Sequence, residues 1–428
     1  MDADSFHRLA KVLADSGEAA TLDEAQQIFS GYGVRIVLDP RAMRDPGTQI
    51  IALTAINTAA RSFQGNVQVV APRETVLTAP GYEGSTLGAF LEWLGVEDVR
   101  EEAALPWPTI EVGRDGGDGN PSRAIRPWAD GWRFGVGNGG LSTFVFAPAC
   151  IAAGALAVSE AFSLLRRDNP YAGRRRIALS LWSLASGTEA AGPTDVPPIP
   201  SSWLVGLGHL GQAYAWTLGF MKPAAGATLY LQDVDVVTKS TLSTSVLSVV
   251  TDMGHRKTRA VALWLEARGY KTAFVERRFD DFQRVGATEP RLALFGVDNA
   301  AARRVLEGAG FRLVVDAGLG SGYQDFRAIR LRTFPGPSRS AAIWATSDSA
   351  VSSPQAPAYK ALLAKGLEPC GVTTLATRAV GAPFVGCIAA AFVVAELLRN
   401  QAGGTTYGYV DLNLRDPQAL ECEAADSR

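Results

Sequence analysis

The sequence predicts an α/β protein made of two copies of a doubly wound, Rossmann-like fold, joined in one chain as an intrachain pseudodimer. Three observations predict this architecture. A glycine-rich turn joins a strand pattern to a helix pattern after residue 203, strand and helix patterns alternate from there on, and the two halves of the chain end with the same pattern. The length of 428 residues also favours two domains, because single cores stop growing near ~250 to 300 residues.

A proline-rich stretch marks the boundary between the halves. Residues 187–202, GTEAAGPTDVPPIPSS, contain four prolines, and the residue before each proline is disfavoured in a helix. We therefore predict a first domain over 1–186, a linker over 187–202, a nucleotide-binding domain over 203–415 and a flexible tail over 416–428.

The second domain opens with an apolar run, a glycine-rich turn and an apolar helical pattern, WLVGLGHLGQAYAWTLGFM. Further strand patterns lie within 227–237, 291–304 and 311–322, and the middle one runs into a helix after Asp298. Strands that alternate with helical segments predict a parallel sheet with helices on both faces.

The ends of the two halves resemble each other. Residues 147–184 and 382–415 each contain a proline at the start of an apolar helix, a glutamate within it (Glu160 or Glu396), a Leu-Leu-Arg ending and a following strand. This repeat indicates duplication of one fold. Two unrelated alanine-rich buried helices remain the alternative.

Composition excludes several classes of protein. The net charge of −2, from 41 basic and 43 acidic residues, argues against binding to nucleic acid or to an anionic membrane surface. The N-terminus lacks the basic flank and apolar run of a secretory signal, so we expect a cytoplasmic protein. The four cysteines form no CxxC pair and the three histidines lie far apart, which argues against a disulfide framework and a structural zinc site.

The glycine-rich turn has the GxGxxG pattern of a nucleotide-binding loop, with Gly206, Gly208 and Gly211. Such glycines allow a tight turn and a close approach of helix N-terminal amides to phosphate. Asp233 follows at the end of the next strand pattern, where an acid can accept hydrogen bonds from ribose hydroxyls. These two features fit a nicotinamide-dependent dehydrogenase equally well.

Further motifs distinguish between these possibilities. The chain contains, in order, GxGxxG, a DxD strand end (Asp233 and Asp235), a GxxK ending at Lys257, DNxxxR from Asp298 to Arg303, and DAG at 316–318. This ordered set resembles the ThiF/MoeB/HesA family of ubiquitin-activating-enzyme-like (E1-like) adenylyltransferases over roughly residues 203–400. The resemblance implies a ThiF fold, and a first half that is a degenerate, inactive adenylation domain, as in bacterial single-chain types.

The resemblance also implies roles for individual residues. The glycine loop would bind ATP through its backbone, Asp233 the ribose, Lys257 the phosphates and Asp298 a magnesium ion. Attack by a carboxylate on the α-phosphate builds negative charge, which a lysine and a metal ion can stabilise. The alternatives are that Lys257 is a solvated surface lysine and that Asp298 is a helix N-cap.

Cys370 lies where family members have a thioester-forming cysteine, so the resemblance implies that its thiolate attacks the acyl-adenylate. A small buried residue is the alternative, and Cys387 and Cys150, inside the apolar helices, fit that alternative better. Cys422 lies in the polar tail.

The chain departs from the family after the DxD strand. Family members have an asparagine there and, three residues later, an arginine that binds phosphate, whereas this chain has Thr241 and Thr244. A positive charge is missing, and Arg256 and Arg8 are the candidates to supply it.

The resemblance therefore implies ATP-dependent adenylation of the C-terminal carboxylate of a ubiquitin-like protein. A Cys370 thioester and transfer to a conjugating-enzyme-like partner would follow, in an antiviral conjugation system. Sulfur-carrier activation is disfavoured, because those enzymes are usually shorter homodimers. A pseudoenzyme scaffold that binds a ubiquitin-like protein without turnover, and an NAD-dependent Rossmann oxidoreductase, remain the alternatives.

Overall fold

The computed structural model describes residues 6–96, 106–113, 124–140, 144–185, 189–345, 356–364 and 369–425. In the first half, strands and helices alternate until a β-hairpin, a long helix and a last strand. The elements are α1 Lys11–Asp15, α2 Leu22–Ser30, β1 Val34–Leu38, α3 Pro46–Ser62, β2 Val67–Val70, α4 Leu87–Leu94, β3 Thr109–Val112, β4 Pro127–Asp130, β5 Arg133–Val136, α5 Ala147–Arg166 and β6 Ile177–Ser180.

The second half begins at β7 and follows the same course with additional elements. Its elements are β7 Ser202–Val205, α6 His209–Leu218, β8 Thr228–Gln232, α7 Lys239–Leu242, α8 Lys257–Glu266, β9 Lys271–Val275, β10 Leu292–Phe295, α9 Ala300–Val305, β11 Leu313–Leu319, β12 Ala328–Phe334, α10 Ser340–Ile343, α11 Pro357–Ala364, α12 Pro369–Thr377, α13 Pro383–Gln401, β13 Tyr407–Asn413 and β14 Glu421–Ala424.

The strand order is the same in both halves. In the second half the strands lie in the order β14-β13-β12-β11-β10-β7-β8-β9. The five strands from β11 to β9 in this order are parallel, and β12, β13 and β14 each pair antiparallel to the strand before them in the chain. In the first half, the parallel sheet β2-β1-β3 is joined by a parallel bridge between Ile110 and Ile125 to the antiparallel sheet β4-β5-β6. The order β2-β1-β3-β4-β5-β6 therefore matches β8-β7-β10-β11-β12-β13. The predicted doubly wound α/β fold and its duplication are confirmed.

Helices α5 and α13 occupy equivalent places in the two halves and pack against each other in the shared core. Both begin with a proline in the first turn, where the missing N–H costs no intrahelical bond. Both are long and apolar enough to cross a membrane by composition, yet 89% and 94% of their apolar windows are buried within the protein. They are therefore core helices, and the alternative of two unrelated helices is wrong.

A buried carboxylate ties each of these helices to the segment that follows it. Glu160 accepts a hydrogen bond from the backbone N–H of Gly173 at 2.8 Å, and Glu396 accepts one from the N–H of Tyr407 at 3.0 Å. Both glutamates are fully buried, and each has an arginine partner, Arg175 or Arg399. Glu160 and Glu396, which match in the sequence, thus have the same structural role, since each anchors the segment that follows its helix.

An aromatic cluster joins the halves on the side of α6. The ring of Trp216 lies 5.2 Å from that of Trp264, and its indole N–H donates to the Thr54 hydroxyl of α3 at 3.1 Å. The rings in this cluster come from both halves: Tyr82, Phe90 and Trp93 from the first, and Trp216, Phe220 and Trp264 from the second. Each aromatic pair contributes ~0.5–1.5 kcal/mol beyond its buried area, so this cluster strengthens the interface.

The predicted flexible tail requires correction. Residues 421–424 form β14, which pairs with β13 at the edge of the sheet, and the Cys422 thiol donates to the carbonyl oxygen of Leu184 at 3.3 Å. The polar composition of 416–428 concealed this strand, because an edge strand needs few apolar side chains. Cys422 is accordingly half-buried and packs between the halves rather than lying in a free tail.

Candidate functional site

The glycine loop connects β7 to α6, and each of its three glycines meets a different constraint. Gly206 has a φ of +81°, which favours glycine, and a Cβ on Gly211 would lie 1.9 Å from the carbonyl oxygen of Gly206. A Cβ on Gly208, the N-cap of α6, would have no atom within 4 Å. The loop thus turns tightly, packs closely on its helix and leaves open space in front of the helix N-terminus, where amides can meet phosphate.

Asp233 follows β8, the strand beside β7, and fixes the glycine loop. Its carboxylate accepts the N–H of Leu207 at 2.6 Å and that of Asp235 at 2.7 Å. Because β7 and β8 are parallel neighbours, their carboxyl ends meet at the same edge of the sheet. Asp233 therefore lies beside the glycine loop, where a ribose acceptor is expected.

Lys257 begins α8 and returns to the same edge. Its Nζ lies 3.0 Å from Oδ2 of Asp235, and its backbone N–H donates to the carbonyl oxygen of Asp235 at 3.1 Å. The Lys257 side chain is only 12% exposed. The alternative of a solvated surface lysine is therefore wrong.

Asp298 follows β10, the strand on the other side of β7. Its neighbour Val297 lies close to the glycine loop, 2.9 Å from where a Cβ on Gly206 would be. Asp298 is exposed and forms no hydrogen bond or ion pair with any described residue. Asn299, not Asp298, is the N-cap of α9, because its side chain accepts the N–H of Ala301 at 2.8 Å. The alternative that Asp298 caps this helix is therefore wrong.

The arginine of the DNxxxR motif has a structural partner. Arg303 donates from Nε to Asp316 at 3.0 Å and from Nη2 to the carbonyl oxygen of Ala317 at 2.7 Å. Burial raises the pKa of Asp316, and the Arg303 guanidinium opposes that rise. The pair fixes α9 to β11 and so supports the loop that presents Asp298.

The two arginines considered for the missing charge differ in position. Arg256 donates to the carbonyl oxygen of Val234, beside the DxD strand end. Arg8, from the first half, donates to the carbonyl oxygen of Ala379 at 3.0 Å. Two residues later, a Cβ on Gly381 would lie 2.6 Å from Cγ2 of Thr244 and 3.8 Å from Nδ1 of His209. Since His209 is the first residue of α6, Arg8 is the candidate that approaches this end of α6 from the opposite half, through the segment at 379–381.

The side chains of three of the four cysteines are described, and burial raises the pKa of each. Cys150 and Cys387 are buried, and burial raises the pKa of both well above the usual range, as expected of structural cysteines. Burial also raises the pKa of Cys422. Cys370 lies in α12, but its side chain falls outside the described part of the structure, so its predicted role stays a prediction.

The equivalent loop of the first half is built differently. Asp39 accepts the N–H groups of Arg41 and Ala42, Asp45 accepts that of Thr48 at 2.7 Å, and Pro46 has no N–H. The cavity beside the start of α3 measures only about 10 Å³. Carboxylates of the chain thus occupy the helix N-terminus that the second half leaves open, and about one water would fill the remaining space.

A further group of polar side chains lies beneath the glycine loop, and no motif predicted it. Gln212 of α6 donates from Nε2 to the carbonyl oxygen of Leu207 at 3.3 Å and accepts the N–H of Ser248 at 2.9 Å. Asn57 and Arg61 of the first half bind the same segment from the other side. Their partners lie 181 to 189 residues away in the chain, so no local pattern could reveal them.

Comparison with known proteins extends this description. Two family models match, the BilD N-terminal domain over residues 33–181 and the BilD C-terminal domain over residues 199–404. The bacterial E1-like protein BilD of Collimonas sp. (strain OK412) is 38% identical over 425 residues, which covers 96% of this chain and 91% of that protein.

Solved structures of E. coli MccB are also similar. The structure of MccB with succinimide aligns over 53% of this chain and 63% of that chain, at 12% identity and a TM-score of 0.36. The structure of MccB with ATP aligns over 53% and 64%, at 13% identity and a TM-score of 0.35. The chain thus spans less than two thirds of the length of MccB.

Proposed function

This chain belongs to the BilD family of bacterial E1-like proteins, and we propose that it uses ATP to join AMP to the C-terminal carboxylate of a ubiquitin-like protein. One observation is central to this proposal. Four features lie at the carboxyl edge of three adjacent parallel strands: an open glycine loop, Asp233, Lys257, and Asp298, which has no partner among the described residues. Open α/β sheets bind nucleotides at this edge.

In the reaction, a carboxylate oxygen of the carrier protein attacks the α-phosphorus of ATP. The bond from that phosphorus to the bridging oxygen of the β-phosphate breaks, and pyrophosphate leaves. No general base is needed, because the carboxylate is ionised at neutral pH. Lys257 exchanges Asp235 for phosphate oxygens and stabilises the charge that develops on them.

The residues present fit a magnesium ion. Mg²⁺ in nucleotide sites is usually bound by one or two carboxylates together with substrate phosphates. Asp298, which is exposed and without a partner among the described residues, can supply that carboxylate. The metal would neutralise phosphate charge while Lys257 and the glycine loop orient the nucleotide.

Arg8 supplies the positive charge that Thr241 and Thr244 do not. Its hydrogen bond to Ala379 supports this role, because Gly381, two residues later, packs beside Thr244 and beside His209 at the α6 N-terminus, where phosphates bind. The first half therefore contributes a basic residue to the site of the second, while its own helix N-terminus, capped by Asp45, binds no nucleotide.

The later steps rest on Cys370. Its thiolate attacks the carbonyl carbon of the acyl-adenylate, AMP leaves, and the carrier is stored as a thioester for transfer to a conjugating-enzyme-like partner. We place this activity in the cytoplasm, in an antiviral conjugation system. In the alternative, a scaffold binds nucleotide and carrier without turnover, which the threonines at 241 and 244 favour.

Pyrophosphate exchange in the presence of a candidate carrier tests the proposal. Wild-type protein should incorporate labelled pyrophosphate into ATP, and Asp298→Ala should abolish exchange. Asp195→Ala, which removes an exposed aspartate from the segment between the halves, is the matched control and should not change the rate. Nucleotide binding without exchange would support the scaffold, and binding of NAD(H) in place of ATP would support an oxidoreductase.

A further inference from the structure

A segment of the second half, residues 242–248, lies beneath the glycine loop and is hydrogen-bonded by side chains of both halves. It begins with Leu242, the last residue of α7, and Ser245, Val246, Leu247 and Ser248 are all buried. Buried backbone N–H and C=O groups need partners, and residues 246–248 lie in neither a helix nor a strand that could provide them. Long side chains from both halves provide them instead.

From the second half, Gln212 binds the segment and the glycine loop together. Its Oε1 accepts the N–H groups of Leu247 at 3.1 Å and Ser248 at 2.9 Å. Its Nε2 lies 2.8 Å from the Ser248 hydroxyl and 3.3 Å from the carbonyl oxygen of Leu207, in the glycine loop. A shift of residues 247–248 would therefore move Gln212, and with it the loop.

From the first half, two residues of α3 bind the carbonyl groups of the segment. Asn57 donates from Nδ2 to Val246 at 3.0 Å. Arg61 donates from Nη1 to Ser248 at 2.6 Å and to Leu242 at 3.3 Å, and from Nε to Oδ1 of Asn57 at 2.7 Å. Hydrogen bonds from a guanidinium are roughly twice as strong as neutral ones, so Arg61 is the main anchor.

The charge of Arg61 is costly at this place. Burial lowers its pKa to about 10, yet it stays protonated at neutral pH. Its Nη2 is buried without a hydrogen-bond partner among the described residues, and the guanidinium lies 5.8 Å from the centre of the Trp93 ring. An apolar side chain would avoid this desolvation cost, but it could not donate to the carbonyl oxygens of Ser248 and Leu242.

We propose that Arg61 and Asn57 are positioning residues of the adenylation site. Through 242–248 and Gln212, they hold the glycine loop of the opposite half in the geometry that binds ATP. This inference rests on the proposed function, since it assigns these residues to the same site. It differs from a purely structural role because it predicts a selective loss of ATP affinity rather than a general loss of stability.

The test compares Arg61→Met with Arg61→Lys, and with Arg166→Met as the matched control. Arg166 is another arginine of the first half and is paired with the exposed Glu18, away from this segment. Arg61→Met should raise the KM for ATP about 10-fold or more, because it removes the charged donor from two carbonyls. The KM for the carrier should stay unchanged, Arg61→Lys should recover part of the ATP affinity, and the control should match wild type.

A milder variant keeps the inference testable if Arg61→Met does not fold. Asn57→Asp can still accept from Arg61 but cannot donate to Val246, and it should raise the KM for ATP about 3- to 10-fold. An unchanged KM for ATP, or an equal rise in both KM values, would overturn the inference. If wild type shows no exchange, calorimetric binding of ATP to the same variants decides the matter separately. Equal ATP affinity in all of them, or none in wild type, would refute it.

Discussion

Replacing Gly208 by alanine tests whether phosphate approaches the open start of α6. A Cβ at this position would meet no protein atom within 4 Å, so the folded protein can accommodate it. Gly208 has a φ of −81°, outside the left-handed region that favours glycine, so the free energy of unfolding should fall less than it does in Gly211→Ala. The new methyl group would instead occupy the space in which a phosphate approaches the backbone.

The expected loss of affinity follows from the contacts that this methyl group displaces. One hydrogen bond to a charged phosphate contributes about 1.5–3 kcal/mol, which corresponds to a roughly 10- to 150-fold rise in the Kd for ATP. Isothermal titration calorimetry measures the Kd, and urea unfolding measures stability. In Gly211→Ala, by contrast, the Cβ would lie 1.9 Å from a backbone oxygen, so that variant should lose stability. Wild-type ATP affinity in a folded Gly208→Ala protein would show that no phosphate lies there.

Three further predictions concern chemistry and pH. Lys257→Ala should slow pyrophosphate exchange by about 100-fold or more, typical of a lost transition-state contact. Replacing the exposed Lys222 by alanine is the control and should not slow exchange. A Lys257→Ala protein that exchanges pyrophosphate at the wild-type rate would place Lys257 outside the site. Cys370→Ala should retain exchange but lose the reducible carrier adduct on a non-reducing gel, and survival of that adduct would exclude Cys370 as the nucleophile. Burial lowers the pKa of His7 and of His209 from 6.5 to about 4, so the unfolded chain binds these protons first as pH falls. The free energy of unfolding should therefore be highest above pH 6.5 and fall toward pH 4, by about 1.4 kcal/mol for each histidine at about pH 5.5. Urea unfolding at several pH values measures this change, and a flat profile would contradict it.

The parts of the site that could be predicted from sequence are those with local signals. Gly206, Gly208 and Gly211 repeat at a fixed spacing, and Asp233 and Asp298 each follow an apolar strand. Strand ends in a parallel sheet converge, so a pattern along the chain becomes a cluster in space. The order of the motifs, rather than any one of them, distinguished an E1-like protein from a dehydrogenase.

The other parts depend on contacts between the halves, which no local pattern encodes. Arg61 looks like an ordinary arginine near the end of a helix, and its role appears only when Ser248 packs against it. The edge strand that contains Cys422 was missed for a related reason, since its pairing with β13 depends on the backbone rather than on apolar side chains. Arg8 was identified only as one of two candidates, and its hydrogen bond to Ala379, in the segment that packs beside Thr244 and His209, could not be foreseen.

The asymmetry between the halves has a physical consequence. Helices α3 and α6 occupy equivalent places, because each follows the first strand of its sheet. In a symmetric dimer the two helices would share one sequence, so each would have to hold a nucleotide at its start and support the partner's loop. Within one chain these tasks can separate. Here α6 begins with an open Gly208, whereas α3 begins with a carboxylate-capped turn at Asp45 and supports the opposite loop through Arg61. We therefore infer that the first half has no nucleotide site of its own but still supports nucleotide binding, because the loop that Arg61 holds in place belongs to the site of the second half.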